Sequence, residues 1–422
     1  MFMTIVEKIL AAHAGKQSVT SGEFINVKVD LVMASDLTAH ISINQLQALG
    51  IRKLFDPSKI VFVMDHFTPN KDVAAAMEIK KMREFARELG VNFIEAGDIG
   101  IEHVYLPEKG LVLPGEVVVG GDSHTCTYGA LGAFSTGMGS TDIAVAMATG
   151  EIWMKVPPTI KYMFNGKTGK WVTGKDLILY TIGQIGVDGA LYSAMEFTGE
   201  AIRDMSMDGR FTMANMAIEA GAKTGIFEVD EKTLAYAQER ANRPFTVCKN
   251  DDSDEYAQVI EYNAEEIEPQ VALPHSPSNV VPVEKAGDIE VDQVVIGSCT
   301  NGRLEDLYYA HLVMQGRKVS KNVRCIVIPG SQKVYLDALR AGYIETFVMA
   351  GALVSPPTCG PCVGGHMGIL AAGERCASTT NRNFQGRMGD PRSEIYLVNP
   401  AVAAASAITG KITNPKEVMG NA

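Results

Sequence analysis

Cys359 and Cys362 lie three residues apart in LVSPPTCGPCVGG, residues 353–365, among three glycines and three prolines. A backbone this rich in Pro and Gly does not hold a helix, so the spacing turns both thiols into one small space. Such a pair serves either a soft metal centre or a redox disulfide. Cys299 stands at the tip of a second Gly-flanked turn, GSCTNGR at 297–303. A C-x-x-C plus one distant Cys makes three thiolates. A structural zinc site takes four Cys or His ligands, whereas a working centre keeps a position open. A thioredoxin-type pair leaves Cys299 idle. Spacing alone leaves three readings standing: a metal or iron–sulfur site, a redox disulfide, and inert core thiols. Cys126, Cys248, Cys325 and Cys376 are expected as buried, inert thiols, with Cys126 the rival for a fourth ligand.

Two carboxylate–imidazole groups come next. Asp65-His66 follows an apolar run, and a neighbouring carboxylate suits a histidine to proton transfer near neutral pH. Asp122-Ser123-His124 sits on a Gly-flanked turn, where the plainer reading is helix capping by Asp122 or Ser123. Asn381, Arg382 and Arg387 fall in NRNFQGR. Two guanidinium forks suit a dicarboxylate, although paired surface arginines are the ordinary alternative. Glu196 stands in an apolar run, near a strand end, and needs a partner if buried.

The elements that must position these groups alternate. Apolar runs at 27–33, 59–64, 91–95, 116–119, 192–198, 294–296 and 323–328 are expected as strands. Helices are expected at 7–14, 71–89, 141–149, 176–185, 213–221, 304–314 and 334–341. Residues 34–40 are expected as a polar loop, 164–174 as a hairpin, 248–256 as an acidic surface run and 269–282 as a linker. Polar motifs fall just past strand ends, where ligands bind in parallel sheets. The fold class is therefore α/β, in three domains at 1–157, 158–285 and 286–422.

Composition narrows the function classes. The chain has 422 residues, is 46% hydrophobic and carries a formal net charge of −11. That excludes the basic footprint of a nucleic-acid binder. No apolar stretch approaches the ~20 residues of a membrane span. The N-terminal run is broken by Glu7 and Lys8 and is no secretory signal. Seven scattered cysteines fit a reducing, cytoplasmic setting.

Together MDH at 64–66, GDSHT at 121–125, GSCTNGR, PPTCGPCVGG and NRNFQGR resemble the aconitase superfamily along essentially the whole chain. Within it the resemblance is to the large subunits of two-subunit isopropylmalate dehydratases and homoaconitases. It implies three α/β domains around one 4Fe-4S cluster held by Cys299, Cys359 and Cys362, with one iron left open for a hydroxy di- or tricarboxylate. It implies that His66, oriented by Asp65, protonates the departing hydroxyl. Asp122, His124 and Glu196 would hydrogen-bond the departing water. Ser123, Asn381, Arg382 and Arg387 would bind substrate. His40, four residues after Asp36, departs from the family pattern. The sequence ends soon after the third domain, so a separate small subunit is expected to bring the swivelling domain and the catalytic base. The competing expectations are an iron-sensing RNA-binding protein, a four-thiolate electron carrier and a zinc protein.

Overall fold

The computed structural model describes residues 2–95, 97–251 and 256–420. The chain divides into two compact units. The first comprises 1–98, 105–165 and 190–262; the second comprises 99–104, 166–189 and 263–422.

The first unit holds a five-stranded parallel sheet. Its order is Asn92–Ile94, Ile60–Val63, Leu31–Ser35, Val117–Gly120, Phe134–Gly137. The three inner strands are buried on every residue, which explains why none of them carries a charged side chain. Chain order runs outward in opposite directions from the boundary between Leu31–Ser35 and Val117–Gly120. That boundary is the topological switch point, where loops diverge and leave a crevice. Asp36, Asp65-His66 and Asp122 to His124 leave three adjacent strands at this end. A four-stranded sheet of the same unit runs Thr224–Phe227, Ala194–Thr198, Thr159–Asn165, Gln258–Asn263.

The second unit is built on a seven-stranded sheet. Five parallel strands run Glu394–Val398, Arg375–Ser378, Gln293–Gly297, Arg324–Ile328, Leu353–Val354. Here the switch lies between Gln293–Gly297 and Arg375–Ser378. Cys299 follows the first strand, and Thr379 to Asn381 follow the second. The Ala-rich helix Pro400–Thr409 and the helix Leu304–Met314 pack together over this sheet.

Several expectations are corrected. The strand at 27–33 is two, Phe24–Lys28 and Leu31–Ser35. Asp30 breaks it, its carboxylate turning aside to His13 Nε2 at 2.7 Å and the Val117 amide at 2.9 Å. The loop at 34–40 already contains the start of the helix Ala39–Ala48. Residues 164–174 form no hairpin; the chain leaves Thr159–Asn165 and enters the helix Gly174–Ile185 through a Thr173–Asp176 capping box. The supposed linker at 269–282 supplies two strands, Gln270–Ala272 and Val280–Pro282. The first pairs antiparallel with Glu394–Val398, so a boundary at 285 would cut a sheet. Of the acidic run at 248–256, residues 252–255 lie outside the described residues. Its described ends are not merely surface: Asn250 Oδ1 accepts from the Ile5 amide at 3.0 Å.

Candidate functional site: a thiol centre and two buried acid–imidazole pairs

The first unit carries the proton chemistry. Asp36, Asp65 and His66 are all buried. His66 Nδ1 lies 2.6 Å from Asp65 Oδ1 and 3.2 Å from Asp36 Oδ1. Asp36 is itself fixed, accepting from the amides of His66 at 3.1 Å and Phe67 at 2.8 Å. Burial alone would push the imidazole down. The two carboxylates override it and hold His66 protonated well above the usual histidine range. The group is an imidazolium between two anions, with Nδ1 committed to them.

Asp122 caps a nine-residue 3-10 stretch, Ser123–Leu131, by accepting from the His124 amide at 2.7 Å. The stretch is buried almost throughout and has no room to shift. A Cβ on Gly129 would stand 1.9 Å from the Gly225 carbonyl oxygen. His124 Nε2 lies 2.8 Å from Glu219 Oε1, and its Nδ1 is 3.4 Å from Asp122 Oδ1. Ser123 and Asp122 line a cavity of about 460 Å³ with Asp142 and Lys223.

Glu196 is placed differently from expectation. It is the middle residue of Ala194–Thr198, not a strand end. Its Oε1 accepts from Asn250 Nδ2 at 2.7 Å and from the Tyr256 hydroxyl at 2.9 Å. Side chains alternate along a strand. Phe197 meets the Phe227 ring at 5.2 Å, and Gly225 faces Phe197 and the helix Met207–Met216. Glu196 therefore points to the other face, toward Asn250. The carboxylate that meets His124 is Glu219, from the turn after that helix. A sequence signal for it existed: a lone acid in MANMAIEAGAK beside a glycine turn.

The second unit carries the thiols. Gly297 leaves its strand at φ +136°, with no space for a Cβ beside the Ile328 carbonyl, and this turn presents Cys299. The buried Arg303 guanidinium donates to the Cys299 carbonyl at 3.0 Å and fixes the turn. The other loop closes as a 3-10 turn, Gly360–Val363, with the Cys362 amide on the Cys359 carbonyl at 3.0 Å. Cys299, Cys359 and Cys362 are buried and unoxidised. One carboxamide joins the two loops: Cys362 Sγ lies 3.3 Å from Asn381 Oδ1, and Asn381 Nδ2 lies 3.6 Å from Cys299 Sγ. Arg382 and Arg387 follow, both half-buried. The Arg387 carbonyl is 3.2 Å from where a Cβ on Gly364 would be, so the Arg387 turn abuts the Cys-x-x-Cys loop.

The donor set fits an iron–sulfur cluster: three buried thiols on two turns, with Cys299 and Cys362 joined through Asn381. The remaining cysteines differ in kind. Burial raises Cys325 and Cys376 to about 12, and Cys126 donates to the Asn215 carbonyl at 3.4 Å.

Parallel α/β sheets with acid–imidazole pairs past the strand ends of one and three buried thiols past the strand ends of another define a class: α/β iron–sulfur enzymes of acid–base chemistry. A profile of the aconitase family (aconitate hydratase) matches residues 7–410, and the chain belongs to that family. Among curated proteins it is 61% identical to the 3-isopropylmalate dehydratase large subunit of Moorella thermoacetica, over 99% of this chain and 100% of that one. It is 59% identical to that of Halothermothrix orenii over the same shares. It is 60% identical to large subunit 1 of Pyrococcus furiosus, over 99% of both. Among solved structures, Thermococcus kodakaraensis aconitase X in its holo form shares the fold, with a TM-score of 0.53 at 13% identity over 96% of this chain and 100% of that one. No helix among the described residues is long and apolar enough to cross a membrane.

Proposed function

We propose that this chain works as the large subunit of a 3-isopropylmalate dehydratase, a hydro-lyase that interconverts 2- and 3-isopropylmalate through isopropylmaleate in leucine biosynthesis. The observation that carries the reading is identity of 59–61% along the full length of such subunits. The site chemistry supports it. Dehydration removes a hydroxyl from one carbon and a proton from its neighbour, and hydroxide leaves poorly unless protonated.

His66 is the acid. Asp65 and Asp36 keep its proton in place near neutral pH and fix the ring, so Nε2 is left to deliver that proton to the departing hydroxyl. Asp122 and His124 hydrogen-bond the departing water, and Glu219 sets the orientation of His124. Arg382 and Arg387 hold the substrate carboxylates, with Asn381 and the Ser123 hydroxyl alongside. Cys299, Cys359 and Cys362 would hold a 4Fe-4S cluster, which supplies a Lewis acid that weakens the C–O bond. The large-subunit names of the relatives support a separate small subunit, and that subunit would bring the base that takes the carbon-bound proton. The setting is the reducing cytoplasm, which an oxygen-sensitive cluster requires.

The test is an anaerobic assay of the reconstituted two-subunit enzyme against a panel of malate derivatives. Fastest turnover of 3-isopropylmalate supports the reading. Preference for homoaconitate or 2,3-dimethylmalate reassigns the substrate within the same chemistry, and no turnover of any member rejects it.

A further inference from the structure

Lys175 is fully buried, in the first turn of the helix Gly174–Ile185. Its Nζ donates to the Thr379 carbonyl at 3.0 Å and to the Thr380 carbonyl. Those carbonyls immediately precede Asn381, whose carboxamide touches both Cys299 and Cys362. The same peptide is locked to the Cys299 turn. Thr379 Oγ1 donates to the Gly297 carbonyl at 3.0 Å and accepts from the Gly297 amide at 2.8 Å. One amine thus grips the segment that ties the two cysteine loops together. It is sealed from water, so its charge acts on its surroundings with little screening. Burial pushes the amine down to about 7, against the pull of Cys362, Asp306, Asp176 and Cys299. Two neutral carbonyls need only a neutral donor, so a buried lysine is more than their satisfaction requires.

We propose that Lys175 is a positioning residue for the thiol centre. It fixes Asn381 against Cys299 and Cys362, and in its protonated form its charge favours the thiolate, cluster-holding state. The inference rests on the cluster reading above, at that same centre.

The test is replacement in the full chain, reconstituted anaerobically with iron and sulfide. Lys175→Met keeps the length and removes charge and donors; Lys175→Arg keeps the charge. Iron loss to a chelator and the cluster's reduction potential are the readings, with the melting temperature of the cluster-free chain as control. Expected for Lys175→Met is a fold close to wild type, iron affinity about 10- to 100-fold weaker, the range for partners behind metal ligands, and a more negative potential. Lys175→Arg recovers the potential at least in part. If Lys175→Met does not fold, Lys175→Gln carries the same readings. Unchanged iron retention and potential in a folded neutral variant overturn the proposal. So does a chain that folds only with a cation at this position, since the charge then serves folding. Failure of the wild-type chain to take up any cluster is a different result, and counts against the cluster reading itself.

Discussion

At the scale of single residues, the arrangement separates groups that work from groups that only hold the fold. His66→Asn removes the proposed acid, so kcat falls by about 10²- to 10⁴-fold while the cluster's absorbance stays. Glu219 and Glu196 make a sharper pair. Glu219→Gln removes the anion that His124 faces and lowers kcat by roughly 10- to 100-fold, as loss of an orienting partner does. Glu196→Gln breaks an Asn250–Tyr256 network and costs about 1–3 kcal/mol of stability, with kcat unchanged; urea unfolding and an assay of both variants read the difference. The His66 linkage has a definite sign. Its pKa is raised in the folded chain, so its stabilisation is complete below the unfolded value near ~6.5 and disappears as pH rises through the folded value. Melting curves across pH should show this loss in wild type and not in His66→Asn. The thiols and Asp65-His66 were legible in the sequence because short motifs carried them. Asp36 as a second anion on His66 was not, because thirty residues separate partners that only strand pairing brings together. Glu219 was passed over for Glu196 because an acid in an apolar strand draws the eye, whereas the face it points to depends on the sheet.

At the scale of elements, both switch points depend on glycines that admit no side chain. Gly129→Ala drives a Cβ into the Gly225 carbonyl and is expected to cost about 1–3 kcal/mol or more. It should also loosen the turn that holds His124, so thermal melting and kcat fall together. The alternation of strands and helices was legible because buried parallel strands are continuous apolar runs. The hidden elements were those whose residues follow another pattern. The segment 269–282 looked like a linker because prolines flank its two three-residue strands, and its pairing partner lies more than a hundred residues away. The run at 27–33 hid a break because Asp30 leaves the ladder to meet His13. A boundary at 285 follows from the same linker reading, whereas the strands from Gln270 to Pro282 belong to the seven-stranded sheet.

At the scale of the whole molecule, net charge −11 lacks the basic footprint of a nucleic-acid binder, and the proposed acid and arginine clamps suit a small anionic substrate. On the proposed division of labour, this chain alone binds the cluster yet turns over little. Adding the small subunit should raise the rate by orders of magnitude, and full activity of the chain alone would contradict the division of labour. The central claim is narrower: three thiols hold a cluster and leave one iron for the substrate. Mössbauer spectra of the chain reconstituted with enriched iron, without and with 3-isopropylmalate, test it most directly. One iron distinct from the rest, shifting when the substrate is added, is the predicted result; irons all alike and indifferent to the substrate would contradict it.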